Sequence, residues 1–201
     1  MDEENKPQNT GKAIAGTLMG IGLFLLELIK ISLLAGVTIF LIRYYLFKPF
    51  YVKGQSMEPN FFEKEYLIID EISYRLRAPE RGEVIVFRYP ENPKEYFLKR
   101  VIGLPGERVK ISNNQVIIYN DQYPEGKKLE EDYLPSYVET LGDKITTLGA
   151  EQYFVLGDNR SNSLDSRRIG PIDKGYIVGR AWFRGWPVNR MQTFSAPELG
   201  L

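Results

Sequence analysis

The sequence predicts a mainly-β domain preceded by one long apolar helix, and three observations predict it. From Ala13 to Phe47 the chain is apolar, with only Glu27, Lys30 and Arg43 as charges. After Pro49 the texture changes to short runs of β-branched and aromatic residues separated by Gly, Pro and Asn, the pattern of strands and turns. The composition leans the same way, with 13 Tyr and 11 Phe.

The elements follow in order. Met1 to Lys12 is polar and without pattern, and reads as a tail. Phe24 to Ile42, at about 1.5 Å per residue, reaches across a hydrocarbon core of ~30 Å. The expected division is a polar tail and juxtamembrane segment over 1–23 and a membrane anchor over 24–47. The stretch Ala13 to Leu23 either extends the span or lies along the interface as a helix. Glu27 and Lys30 share one helix face and are able to pair. No A-x-A-like cleavage site follows closely, so the run reads as an uncleaved anchor rather than a removed leader. Its orientation is not set by charge, because Lys6, Lys12 and Lys30 on one side balance Arg43, Lys48 and Lys53 on the other. Strands are expected at Glu65 to Asp70, Glu83 to Phe87, Tyr96 to Ile102, Arg108 to Ile111, Gln115 to Tyr119, Gln152 to Leu156 and Gly175 to Phe183. They form a β-rich domain over 48–190, with a loop or small subdomain insertion over 121–143 and a tail over 191–201.

Composition narrows the chemistry. Lys+Arg and Asp+Glu are equal at 26 each, which gives no electrostatic case for nucleic-acid binding. The chain has no Cys and no His. Disulfides, thiolate nucleophiles, Ser-His-Asp triads and His-based zinc sites are thereby excluded. A hydrolase built from this chain draws its base from Lys, Asp, Glu or Tyr. Neither a metal site nor a cofactor is expected, and no G-x-S-x-G or nucleotide-binding loop is present.

Three segments carry candidate chemistry. In Phe97-Leu98-Lys99-Arg100-Val101, strand alternation places Lys99 on the face of Phe97 and Val101, with Arg100 opposite. An ammonium among apolar neighbours loses proton affinity and becomes a usable base, a role closed to Arg; a surface lysine is the plainer reading of the same segment. Gly54-Gln55-Ser56-Met57-Glu58-Pro59 is a turn shortly after the anchor, and its Ser56 hydroxyl needs a base to act as a nucleophile. The loop Gly157 to Gly170 concentrates hydroxyls, carboxylates and guanidiniums after a strand, a density that suits either a positioning network or a solvated loop.

Together these segments resemble bacterial type I signal peptidase. The order matches over roughly Phe24 to Arg190: an anchor, Ser-Met-x-Pro, Pro79-Glu80-Arg81-Gly82 opening a strand, Lys99-Arg100-Val101-Ile102-Gly103-x-Pro-Gly, then Gly157-Asp158-Asn159 leading to Ser163-x-Asp165-Ser166-Arg167, and a closing Gly179-Arg180-Ala181-Trp182-Phe183. The resemblance implies a barrel-like β-fold of the signal peptidase/LexA-like type. It implies Ser56 as nucleophile and Lys99 as general base, with Ser163 hydrogen-bonding and aiming the Lys99 amine. Asp158, Asp165 and Arg167 would hold the loops, with Arg100 as a charge partner. Phe50, Val52, Leu98 and Met57 would line the substrate pocket. Alternation places Leu98 opposite Lys99, so a twist or bulge is expected there.

By the same resemblance the partners are exported preproteins, cut after small residues, and the lipid bilayer. The chain would sit once across a bacterial plasma membrane, N-terminus cytoplasmic, with the β-domain outside. One departure stands out: Gly54 occupies the position where some members carry an oxyanion-stabilising Ser. Two other classes fit parts of the sequence. One is a LexA-like self-cleaving protease, which usually carries a DNA-binding module. The other is a non-catalytic β-domain tethered to the membrane that binds exported chains.

Overall fold

The computed structural model describes residues 10–45 and 47–201, which fall into two compact units divided between Tyr45 and Leu46. The first unit is a single helix, α1 (Thr10–Tyr45). It runs through Ala13 to Leu23 without a break. Gly16–Phe40 is long and apolar enough to cross a membrane, at about 37 Å of rise against a core of ~30 Å. Its apolar side chains are exposed, Leu34 at 70%. A helix apolar on every face has no soluble surface of its own. The Lys30 amine donates to Glu27 at 3.2 Å, so the two charges inside the span pair on one face.

The second unit carries β1 (Phe47–Tyr51), β2 (Tyr66–Asp70), α2 (Ser73–Leu76), β3 (Val84–Tyr89), β4 (Asn92–Gly103), β5 (Arg108–Ser112), β6 (Gln115–Tyr119), β7 (Lys127–Lys128), β8 (Lys144–Thr147), β9 (Gln152–Leu156), α3 (Ser166–Ile169), β10 (Ile172–Asp173), β11 (Ile177–Trp186) and β12 (Gln192–Thr193). The larger sheet has the order β1-β2-β11-β3-β4-β9-β10, with β12 beside β11. The smaller has the order β7-β6-β5-β8. The larger path ends at β1 and β10 without closing, so among the described residues the expected barrel-like form is an open sheet. Every strand pair is antiparallel, which makes β1 and β4 run in the same sense.

Apolar character on both faces explains the central strands. In β3, Val84 and Val86 pack with Val52, Met57, Leu67, Ile69 and Leu98 on one side. Ile85 and Phe87 pack with Val101, Tyr153 and Val155 on the other. Each such side chain contributes about 1.5–3 kcal/mol on burial. A third cluster, Val109, Ile111, Val116 and Ile118, joins the smaller sheet to Ile102, Phe154 and Leu156.

β1 was hidden in the sequence by Pro49. An edge strand tolerates proline because its outer side needs no ladder bond, and β1 is an edge. Pro93 lies similarly in a register shift between Arg88 and Tyr89, outside the ladder. The final residues, expected as a tail, pack onto the domain. Phe194 lies 4.6 Å from the Phe61 ring, and Leu199 is buried in the cluster of the smaller sheet.

Candidate active site

Ser56 sits in the connection between β1 and β2. The neck of that connection is closed by Val52 N–H donating to the Glu65 carbonyl at 2.9 Å and Lys64 N–H donating to the Val52 carbonyl at 3.0 Å. Inside it, Glu58 N–H reaches the Gln55 carbonyl at 3.2 Å, and buried Met57 and Phe61 anchor the turn in the core. Ser56 itself is half-buried. Gly54 has φ +80°, a left-handed conformation strained for any residue with a side chain. The turn as built therefore suits glycine at the position where the resemblance would allow a serine.

Lys99 lies on β4 at 3% exposure. Its amine is 2.7 Å from Ser56 Oγ and donates to the Leu98 carbonyl at 2.9 Å. The Phe97 ring centroid is 5.3 Å away. Burial pulls the amine down to about 8, against which the more distant charges of Asp165 and Asp158 push up. The expected bulge at Leu98 is not there. The β3–β4 register runs unbroken from Val84↔Arg100 to Arg88↔Tyr96. Leu98 packs on the opposite face with Val52 and Met57, and the flexible stem of Lys99 brings its amine back to the Leu98 carbonyl. Alternation was the right rule; reach removes the conflict.

The loop after β9 wraps this pair. Asn159 N–H donates to the Ser56 carbonyl at 3.1 Å and its side chain donates to the Gln55 carbonyl at 3.0 Å. Arg100 grips Asp158 through two bonds, at 2.9 and 2.6 Å, and donates to the Gly82 carbonyl at 2.8 Å. Arg167 grips Asp165 at 2.9 and 2.8 Å. Burial raises the Asp165 carboxyl, but Arg167 and the Gly157 N–H outweigh it and hold the group below its ordinary value. The loop passes very close to the nucleophile: a Cβ built on Gly157 would stand 2.2 Å from Ser163 Oγ and 2.4 Å from the Ser56 carbonyl oxygen.

The implied hydrogen bond from Ser163 to Lys99 is not formed in this structure, where Ser163 Oγ is buried and has no hydrogen-bond partner. The Lys99 amine spends its bonds on Ser56 and Leu98 instead. Sequence reasoning also missed the support from the 121–143 excursion. Arg160, fully buried, donates to Glu131 at 3.0 and 2.5 Å, to the Tyr133 hydroxyl at 2.9 Å and to the Gly157 carbonyl at 3.0 Å, and also bonds the Thr140 hydroxyl. The Tyr133 ring stacks 4.1 Å from the Arg100 guanidinium. Arg160 stood in the charge-dense loop, which was the available signal; Glu131 and Tyr133 lie in a stretch with none.

A cleft of about 840 Å³ opens over Ser56 and Lys99. Phe50, Val52, Met57 and Leu98 all line it. Its walls are the segment Phe50 to Met57 and the first half of β4. Among the described residues that half of β4 has a free side, because β9 pairs only from Arg100 onward. Among the described residues no group of three or more His, Cys, Asp or Glu is placed to hold a metal ion.

Residues 25–186 match the sequence model of the family described as signal peptidase, peptidase S26. The chain belongs to that family. It is 40% identical over 173 residues to a probable signal peptidase I-2 of Synechocystis sp., covering 83% of this chain and 75% of the relative. It is 34% identical over 191 residues to signal peptidase IB of Staphylococcus aureus, covering 87% of this chain and 96% of the relative. A crystal structure of a signal peptidase I from Enterococcus faecalis V583 matches 52% of this chain and 97% of that one, at 31% identity and a TM-score of 0.44. Membership of the S26 signal peptidases makes this chain a serine-type endopeptidase.

Proposed function

We propose that this peptidase removes signal peptides from exported preproteins by a Ser56 nucleophile and a Lys99 general base. The observation that carries the reading is the 2.7 Å contact between Lys99 Nζ and Ser56 Oγ at a buried amine drawn down to about 8. At that value about one molecule in eleven holds a neutral amine at pH 7, against about one in 3,000 for an ordinary lysine. The neutral amine takes the Ser56 proton as Oγ attacks the scissile carbonyl. The Ser56 N–H donates to the developing oxyanion. The ammonium then returns its proton to the leaving amine, and the reverse sequence with water frees the acyl chain. Asp158 with Arg100, and Asp165 with Arg167, hold the loops around this pair without touching the reacting atoms.

The substrate lies as an added strand in the cleft. β1 and β4 run in the same sense toward Ser56 and Lys99, and β4 has a free side over about 17 Å between Lys94 and Lys99. Main-chain bonds of this kind accept any sequence. Selection for small residues falls to the shallow apolar wall of Phe50, Val52, Met57 and Leu98. α1 crosses the plasma membrane once, with the N-terminus cytoplasmic and the β-domain outside. Ser56 follows α1 closely in the chain, which keeps it tethered near membrane-held signal peptides.

The test is cleavage of a purified preprotein by the detergent-solubilised chain beside Ser56→Ala and Lys99→Ala. The wild type releases a signal peptide after a small residue, and both folded variants are inactive. Equal cutting by all three would end the reading. The rate climbs about tenfold between pH 7 and pH 9 as Lys99 loses its proton; an acid optimum would point to carboxylate chemistry instead.

A further inference from the structure

The Ser56 turn is tied to the loop after β9 in two places. One tie is Asn159 beside the nucleophile. The other is Asn60, four residues beyond Ser56 in the same turn. The Asn60 side-chain amide donates to Asp158 Oδ2 at 2.9 Å and to the Tyr133 carbonyl at 3.0 Å. Both of its donor protons are thereby used. The Asn60 backbone carbonyl accepts from Arg184 at 2.8 Å, and Arg190 approaches it at 3.4 Å.

What makes this contact different from ordinary packing is what shares the carboxylate. Arg100 also binds Asp158, through both oxygens, and Arg100 is the residue directly after Lys99 on β4. The path Asn60–Asp158–Arg100 therefore joins the turn that holds the nucleophile to the strand that holds the base. Only three side chains separate them, and Arg100 and Asp158 are both buried.

We propose that Asn60 is a positioning residue that fixes the separation of Ser56 and Lys99 through Asp158, an inference that rests on the Ser56/Lys99 reading above. Asn60 meets no reacting atom; it acts through a carboxylate pinned from both sides. A side chain of the same size without the amide fills the space and leaves the turn free to shift against β4. Displacement by about 1 Å at a reacting pair lowers rates by about 100-fold.

The experiment measures preprotein cleavage by Asn60→Ala and Asn60→Leu, beside wild type, Ser56→Ala and Lys99→Ala, with rates expressed per folded molecule. The expected result is a kcat reduced about 10- to 100-fold with KM changed by less than about twofold, since the cleft walls are untouched. The midpoint of the pH–kcat/KM profile also moves upward from about 8, because Asp158 loses a donor that offsets its charge and acts more strongly on Lys99. A role in folding alone would lower the folded fraction and leave the per-molecule rate and the pH midpoint in place, and that result overturns the inference. Wild-type kinetics in Asn60→Leu beside inactive Ser56→Ala and Lys99→Ala also overturns it, while leaving the dyad intact. Full cleavage by Ser56→Ala or Lys99→Ala overturns the dyad, and the Asn60 inference with it.

Discussion

Lys99 and Arg100 are consecutive on β4 and nearly equally buried, at 3% and 5% exposure, yet the fold treats their charges in opposite ways. Arg100 meets Asp158 through two short bonds, the Gly82 carbonyl and the Tyr133 ring. Burial works against its charge, but Asp158 outweighs it, and the guanidinium is held more firmly protonated than in water. Lys99 meets a hydroxyl, a carbonyl and an aromatic ring, with both carboxylates engaged by arginines instead. Its charge is left uncompensated and its proton is loosened. Desolvation is similar at the two positions. The difference lies in where the loop after β9 spends its carboxylates: on arginines that cannot deprotonate, so that the one lysine can.

The sharpest way to break this contrast is to make the two cations alike. Lys99→Arg places a group that stays protonated beside Ser56, and cleavage falls by about 10⁴-fold or more, read as kcat on a preprotein. Arg100→Ala removes the partner of a buried carboxylate. The uncompensated Asp158 charge lowers stability by about 3–5 kcal/mol, read from the urea midpoint of the detergent-solubilised chain. Retention of full stability in Arg100→Ala would mean that the pair is dispensable and that the contrast is not what shapes the site.

Lys99→Met sharpens the same comparison through pH. The amine falls from 10.5 in the unfolded chain to about 8 in the fold, so folding disfavours its charged form. Below about pH 8 the wild type carries that cost in full. Between about 8 and 10.5 the folded amine has given up its proton while the unfolded chain keeps it, so the cost fades as pH rises, and above 10.5 it is gone. Lys99→Met is therefore more stable than wild type at pH 6–7, by on the order of 3 kcal/mol, with the advantage shrinking through pH 8–10.5. A pH-independent difference in urea midpoint would show that the fold does not lower the proton affinity of Lys99. An enzyme more stable without its base is the expected signature of a site that stores its cost in the reacting group.

Much of this was legible in the sequence, for identifiable reasons. The strands appeared where β-branched and aromatic runs are continuous, as in Val84 to Phe87, because burial on both faces leaves no polar interruption. β1 did not, because Pro49 masks an edge strand, and β7, β10 and β12 span two residues each, too few for any periodicity. Lys99 and Ser56 were legible one at a time, as a lysine among apolar residues and a serine in a turn, each with an ordinary alternative. Their meeting depends on contacts 43 residues apart in the chain, which local patterning does not encode. The supports from Asn60, Glu131 and Tyr133 were invisible for the same reason, and single polar residues in loops announce no partner.

A last prediction separates geometry from charge. Gly157→Ala adds one methyl group and no charge, at a point where a Cβ would fall 2.2 Å from Ser163 Oγ and 2.4 Å from the Ser56 carbonyl oxygen. Both contacts are far inside van der Waals distance, and one of the opposing atoms is backbone, so the loop or the Ser56 turn must shift. The expected cost in stability is about 1–3 kcal/mol, the range for overfilling a packed site. Cleavage falls about 100-fold, because the displaced segments carry the nucleophile and the carboxylates that face Lys99. Asp158 and Asp165 keep their arginines in this variant. If the charge arrangement alone governed Lys99, the pH midpoint of kcat/KM would stay near 8 while kcat fell; a midpoint that moves as well shows that the distance from the loop to the amine sets its proton affinity.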